Sequence, residues 1–282
     1  MSGILWMTGT PLGNLGDLSE RARAELSRAD FVACEDTRRT AILVQHCGGH
    51  ATMLRLDDHA SERVVYEVVE RVTRGERGVY ASDAGMPGVS DPGARIVRAM
   101  VQAGLALGVL PGPSAVTTAL ALSGFDAREY WFGGFLPRKA AERERWAGMA
   151  GQEIGPVVVF LSPHRVQDEM RWLSEKFRTR AACVCRELTK LHETIERGTL
   201  EQLATRDWPE RGEYTVVLEP AAAAAPASQD DSLMHSWIAR LSERGLSGRA
   251  LVDTVCEITG SPKSKVYDAV LQAGNQSSTN LG

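Results

Sequence analysis

Five stretches of this 282-residue chain carry side chains that can move protons or hold charge, or leave the backbone bare. EDTRRT (35–40) sets Glu35, Asp36 and Arg38 within four residues, and LDDHA (56–60) sets Asp58 beside His59. A carboxylate or imidazole in such a place can take a proton from a bound hydroxyl, an effect of roughly 10²–10⁴ in rate. The neighbouring guanidinium can hold an anion. The other three stretches, GTPLGNLGD (9–17), SDAGMPGVSDPG (82–93) and PGPSA (111–115), are rich in glycine and proline. Glycine lets a main chain approach a ligand closely, and proline fixes a loop in advance. Each could be no more than a tight turn; three of them at strand ends argue for one cleft. They hold few cations, which disfavours a heavily phosphorylated ligand. A cationic or hydroxyl-rich small molecule, held by main chain and an aspartate such as Asp83, suits them better.

The elements that must position these stretches follow from periodicity. ILWMTG (4–9), FVACED (31–36), GVYASD (78–83) and LALGVL (105–110) read as strands. They alternate with helical patterns at 19–29, with Ser19 as N-cap, at 62–75, where Val64, Val65, Val68, Val69 and Val72 share helical spacing, and at 92–104. Strands alternating with helices predict an α/β layer fold with a largely parallel sheet, whose ligand crevice lies beyond the carboxyl ends of the strands. From Tyr130 the alternation is less regular, with strands at 157–162, 181–188 and 213–220 and a helix carrying Val166, Met170 and Leu173. The run AAAAAPASQDDS breaks all periodicity. The expected organisation is an N-terminal α/β domain (1–112), a second α/β domain (113–220), a linker (221–232) and a small helical tail (233–282).

Bulk properties narrow the function. Composition is ordinary for a globular protein, at 43% hydrophobic and 24% charged residues, and the net charge of −4 argues against gripping free nucleic acid by bulk charge. No apolar run reaches the roughly 18 residues of a membrane span. MSGILWMTGT lacks a basic start and a sufficient apolar core, so a cytoplasmic protein without membrane association is expected. The five cysteines are scattered, and CVC (183–185) reads as a buried reduced pair on one strand face, since further zinc ligands at suitable spacing are missing. No metal is expected. GxGxxG does not follow the first strand and GxxxxGK[ST] does not occur, which disfavours dinucleotide and P-loop sites.

Read together, TPLGNLGDLS, EDTRRT, SDAGMPGVSDPG, LPGPSA, GFLPRK, SPHR, RELTKLHET and GEYTVVLE stand in one order over about residues 4–219. In this they resemble the ribosomal RNA small subunit methyltransferase I family of the tetrapyrrole-methylase superfamily. The resemblance implies two α/β domains with S-adenosylmethionine in the cleft between them, and a small C-terminal helical domain. It implies methyl transfer to the ribose 2′-oxygen of a cytidine in 16S RNA (position 1402 of that RNA), with the small ribosomal subunit as partner and a homodimer as the working form. By the same resemblance Ser82, Asp83, Ala84 and Gly85 form one wall of the donor site, Pro111, Gly112, Pro113, Ser114 and Ala115 face them, and Pro11 and Gly13 join from the first loop. Such a transfer is an in-line displacement that rests on holding the 2′-oxygen roughly 3–3.5 Å from the methyl carbon.

Asp36 or His59 then orients or deprotonates the hydroxyl, and Arg38 holds RNA phosphate; a structural salt bridge within EDTRR is the alternative. Arg138 and Lys139 of GFLPRK, His164 and Arg165 of SPHR, and Arg186 and Lys190 of RELTK are the further RNA candidates, against a solvated helix face for the first group. The chain also departs from the family pattern. Leu161 stands where a glutamate usually precedes SPHR, Met86 where threonine is common, and Gly248 and Arg249 where a lysine pair is usual. Residues 226–282 hold five Lys and Arg against six Asp and Glu, so tail binding to RNA by charge is doubtful. Two other functions fit the same residues: a precorrin-like tetrapyrrole methyltransferase, and a non-catalytic RNA-binding assembly factor.

Overall fold

The computed structural model describes residues 3–57, 62–221 and 231–279. The chain divides into two compact units, Met1–Ala221 and Ala222–Gly282. The first holds two five-stranded sheets.

In the first sheet β1 (Ile4–Thr8), β2 (Phe31–Cys34), β3 (Thr52–Arg55), β4 (Arg77–Ala81) and β5 (Ala106–Leu110) lie in the order β3-β2-β4-β1-β5, all parallel. Such a sheet is covered on both faces, and the strand alternation shows how. Leu5, Met7, Phe31, Ala33 and Tyr80 meet Val65, Val68 and Val72 of α3 (Glu62–Thr73) and Ile96 and Met100 of α4 (Gly93–Gln102). On the other face Val32, Val79 and Ala81 meet Leu26 of α1 (Glu20–Ser27) and Leu43 and Val44 of α2 (Thr37–His46). Ser19 caps α1, accepting from the Ala22 N–H at 3.2 Å.

After α5 (Ala115–Ser123), the second sheet is built from β6 (Trp131–Phe135), β7 (Val157–Leu161), β8 (Ala181–Arg186), β9 (Thr194–Thr199) and β10 (Tyr214–Leu218), in the order β6-β7-β10-β8-β9. Only β6 and β7 run parallel; the other pairs are antiparallel. One face carries α6 (Ala140–Ala150), α7 (Val166–Phe177) and α8 (Leu200–Ala204), with Trp146, Met170, Leu173 and Leu203 in its core. The opposite face packs on Val116, Ala119 and Leu120 of α5 and takes in Leu12 from the loop after β1, so the two sheets share a core residue at the cleft.

Between Phe132 and Phe135, β6 advances three residues while β7 advances two, from Val158 to Phe160. This is a β-bulge, and Gly134 at φ +66° supplies the left-handed backbone it needs. Its neighbour Gly133 has no room for a side chain, because a Cβ there would stand 2.4 Å from Trp146 Nε1. The indole N–H instead donates to the Gly133 carbonyl at 3.2 Å.

The second unit comprises α9 (Asp231–Glu243), α10 (Gly248–Thr259) and α11 (Lys263–Thr279) around Met234, Ile238, Leu251, Val255 and Val266. The expected linker over 221–232 is thus shorter at its end, since helix already begins at Asp231; residues 222–230 lie outside the described ones. No helix of the described residues is long and apolar enough to cross a membrane.

Candidate active site

The loops after β1, β4 and β5 leave adjacent strands of the first sheet, and their main chains are bonded to one another. Thr10 and Gly85 exchange N–H···O bonds of 3.0 and 3.1 Å, and the Gly9 N–H donates to Leu110 O at 2.9 Å. Thr10 Oγ1 donates to Ser82 O at 3.1 Å, and Ser82 Oγ to Gly85 O at 3.0 Å. Gly112 lies so close to Gly9 that a Cβ on either would meet backbone atoms of the other within 2.9 Å. Met86 fills the space beside this contact, where its sulfur accepts the Gly112 N–H at 3.3 Å. The residue that departs from the family pattern is therefore part of the same lock. Within the longer loop, Asp91 accepts from the N–H groups of Gly88, Val89 and Gly93 at 2.7–3.1 Å and from the Tyr80 hydroxyl at 3.2 Å. Burial, with Asp91 beside it, pushes the Tyr80 hydroxyl's pKa well up.

These loops border a cleft of two adjoining lobes. The larger, of about 380 Å³, is walled by Leu12, Ala84, Ala115, Phe160 and Leu161 and by the polar groups of Ser82, Tyr214 and Thr215. Among the described residues its lining includes Glu35, Asp83, Asp91 and Glu213 and no Lys, Arg or His, while Lys190 pairs with Glu213 and Arg39 with Asp83 from the adjoining lobe. The smaller, of about 270 Å³, is lined by residues 10–13, Arg39, Asp83 and Lys190. Pro11, Gly13, Ser82, Asp83, Ala84 and Ala115 therefore face the cleft. Gly85 and Gly112 are engaged in loop-to-loop contact, and Ser114 is the residue from which α5 starts.

EDTRRT is a helix start. Asp36 is the N-cap of α2, and its Oδ1 accepts the N–H groups of Arg38 at 2.9 Å and Arg39 at 3.5 Å. The Arg38 side chain donates to both carboxylate oxygens, at 3.3 and 3.2 Å. The bond from Arg38, with these backbone donors, lowers the Asp36 pKa to about 2. A carboxylate so stabilised is a weak proton acceptor, and the salt bridge within EDTRR, the alternative to a role in proton transfer, is formed. Arg38 remains 89% exposed beside it. The main-chain N–H of Asp36 donates to Asp83 Oδ1 at 3.1 Å, and Arg39 stands 3.5 Å from Asp83 Oδ2. Arg39, unassigned from the sequence, is thus the guanidinium at the cleft. His59 and Asp58 lie outside the described residues; the chain enters that stretch from the carboxyl end of β3.

RELTK closes the smaller lobe. Glu187 and Thr189 take left-handed backbone at φ +54° and +66°, an uncommon conformation for such residues. Lys190 Nζ sits 2.9 Å from Glu187 Oε1 and 3.1 Å from Glu213 Oε2. Burial opposes its charge, but the two carboxylates outweigh burial and raise its pKa. Its stem covers Gly13, where a Cβ would stand 2.1 Å from Lys190 Cγ, and the Asn14 N–H donates to Thr189 Oγ1 at 3.2 Å. Lys190 therefore builds the cleft wall with its charge balanced internally. Arg186 donates to Arg211 O at 3.2 Å and stacks over Tyr214.

Near the larger lobe, at Phe135 and Pro163, a second depression of about 470 Å³ holds Arg138 and Arg165. Beneath it lies Glu169, a fully buried carboxylate on α7. Its Oε2 accepts the Ser162 N–H at 2.9 Å, and its Oε1 stands 2.8 Å from Arg165 Nη2 and 3.8 Å from Arg143 Nη2. Those guanidinium N–H groups are not aimed at Oε1, which has no hydrogen bond, and neither has Arg165 Nε. Burial raises the Glu169 pKa, opposed by the Ser162 N–H and the arginines. Leu161, at the departed glutamate position, is core, and the carboxylate that reaches the SPHR turn comes instead from Glu169. His164 and Lys139 are exposed, the latter 3.3 Å from Glu142. The five cysteines are free, with Cys183 and Cys185 buried and 3.8 Å apart, and no metal-holding cluster of acids, His and Cys occurs among the described residues.

A parallel sheet joined to a mixed one, with locked loops at its carboxyl edge, is the architecture of the tetrapyrrole (corrin/porphyrin) methylases, whose family model matches residues 5–204. Solved structures of this fold include diphthine synthase (TM-score 0.60, 16% identity, 77% of this chain and 90% of that one). Another is uroporphyrin-III C-methyltransferase from Thermus thermophilus (TM-score 0.57, 16% identity, 79% and 96%). At such identity the likeness is one of fold. Ribosomal RNA small subunit methyltransferase I of Mycobacterium tuberculosis is 38% identical over 281 residues, covering 96% of both chains. The protein of that name from Neisseria meningitidis serogroup B is 31% identical over 280 residues, covering 98% and 96%. The chain belongs to the ribosomal RNA small subunit methyltransferase I family within the tetrapyrrole methylases.

Proposed function

We propose that this protein is an S-adenosylmethionine-dependent methyltransferase acting on a cytidine ribose 2′-hydroxyl of small-subunit ribosomal RNA. The observation that carries the reading is the larger lobe, partly apolar and lined among the described residues by acids and no basic side chain, in a chain with these relatives. A sulfonium donor needs such a place: apolar wall for its carbon skeleton, and carboxylates in excess of the neighbouring cations to favour its charge. When bound, it supplies a methyl group already activated for transfer. Leu12, Ala84 and Ala115 would hold it, with Ser82 and Asp83 offering polar contacts.

The chain's own contribution is positioning and proton handling. Asp36 fixes the start of α2 and hence the loop carrying Asp83. We assign proton acceptance to His59 and orientation to Asp36. Arg38, Arg138, Lys139, His164 and Arg165 are the cations offered to RNA. The acceptor is RNA in an assembled small subunit, because structured RNA is recognised largely by shape. The working form is a cytoplasmic homodimer, which sedimentation velocity would check.

The test incubates the purified protein with labelled S-adenosylmethionine and small subunits from cells lacking the modification, then maps the label by nuclease digestion. Label on one cytidine ribose is the expected result. Donor binding without RNA label would move the acceptor to a tetrapyrrole, and absence of donor binding would leave an RNA-binding assembly factor.

A further inference from the structure

The bulge in β6 does more than interrupt a ladder. In an unbroken strand, side chains three residues apart point to opposite faces. Here Phe132 and Phe135, three apart, both pack on Phe160, with ring centroids 4.9 and 5.4 Å away and edges turned toward its face. The extra residue at Gly134 has reversed the parity and carried Phe135 round to the cleft side. There it remains 54% exposed, a large apolar ring left in solvent at the end of its strand. It borders two depressions of opposite character, the acid-lined lobe of the cleft and the arginine depression that holds Arg138 and Arg165.

The arginine depression is a built site. Arg165 is held over the buried Glu169, and Arg143, which donates to Pro137 O at 2.7 Å and stacks over Trp172, fixes the loop from which Arg138 projects. Arg138 forms no ion pair among the described residues. Three guanidinium groups face one carboxylate, so the depression keeps an excess of positive charge. The Arg165 Nε–H also lacks an acceptor. The excess of guanidinium charge fits an anion.

We infer that Phe135, Arg138 and Arg165 form a nucleotide subsite on the RNA path, with Phe135 stacking a base and the two arginines holding a backbone phosphate. Glu169 acts as a positioning residue for Arg165. The inference rests on the proposed ribosomal RNA reading. Single-stranded bases are commonly stacked on aromatic side chains, and guanidinium groups suit phosphate oxygens. The acid-lined lobe would repel phosphate, so a strand delivering a ribose there must keep its phosphates to the side where these arginines stand.

The experiment measures binding of unmodified small subunits over a salt series, labelled S-adenosylmethionine binding, and methyl transfer, for the full chain and its variants. Phe135→Ala is expected to weaken subunit binding and raise the apparent KM roughly ten- to hundredfold with kcat less affected. Phe135→Trp should restore it to near the parent value. Arg165→Gln and Arg138→Gln should each flatten the salt dependence by about one charge. Glu169→Gln should raise KM in the same direction, and the variants at the exposed Phe135 and Arg138 keep the test valid if this buried change unfolds the chain. Donor affinity should be unchanged in the two arginine variants, since neither residue lines the donor lobe. Unchanged subunit binding in Phe135→Ala and Arg165→Gln would overturn the subsite, as would a loss of donor affinity in step with KM in the arginine variants. Because binding is read separately from transfer, a parent protein that binds subunits without methylating them refutes the enzymatic reading while the subsite still stands or falls on the variants.

Discussion

At the scale of single residues, Asp36 shows why a carboxylate in a motif need not be a base. Its pKa, about 2 against an ordinary 3.8, is depressed by Arg38 and by the helix N–H groups it caps. A depressed pKa contributes stability above the ordinary carboxylate range, and that stability is lost as pH falls from about 3.8 toward 2. Over the neutral range Asp36 does not titrate, so it sets no limb of a pH–rate profile. Asp36→Asn should leave the shape of the profile intact and lower the melting temperature only slightly, because Asn caps a helix as well as Asp and only the exposed pair with Arg38 is lost. His59→Asn should lower kcat roughly 10²–10⁴-fold. Transfer rates of the two variants separate the roles. If Asp36→Asn shows the larger loss of kcat instead, the assignment of roles is reversed.

At the scale of elements, loop-to-loop contact sets the tolerance of the site. Gly112 cannot carry a Cβ without meeting the backbone of Gly9, and backbone cannot swing aside as a side chain can. Gly112→Ala should therefore destabilise the fold by about 1–3 kcal/mol, in the range of overpacking, and weaken donor binding, as urea unfolding and donor titration would report. These loops were legible in the sequence because the constraint that marks them is local: glycine and proline declare their torsions wherever they stand. Four of the five strands of the first sheet were legible too, through apolar runs; β3, TMLR, was not, because it is short and largely exposed. α2 was not, because EDTRRT was read as the end of a strand, although an Asp before TRRTAILVQH has the form of an N-cap. β6 was hidden by its paired glycines, whose bulge breaks the alternation that announces a strand. β9, TIERGT, is a polar edge strand with little apolar pattern. Pairings such as Arg39 with Asp83 and Glu169 with Arg165 depend on how elements meet, which composition and spacing do not encode.

At the scale of the molecule, every cleft residue named above lies in Met1–Ala221, which carries both sheets and their cores, while the C-terminal helices pack around a core of their own. A chain ending at Ala221 should fold cooperatively and bind S-adenosylmethionine as the full chain does, checked by thermal melting and donor titration; any loss would then be confined to the RNA substrate. The acid-lined lobe has one more consequence, for turnover. Methyl transfer removes one positive charge from the sulfonium, so a lobe whose four acids outnumber the cations paired with them, Arg39 and Lys190, grips an incoming guest more firmly than the spent one. Added salt should therefore loosen the donor and leave the demethylated product's affinity nearly unchanged. Competition binding at low and high salt would show it. The same side chains that recruit would then also discharge, and the cleft would resist inhibition by what it has just made.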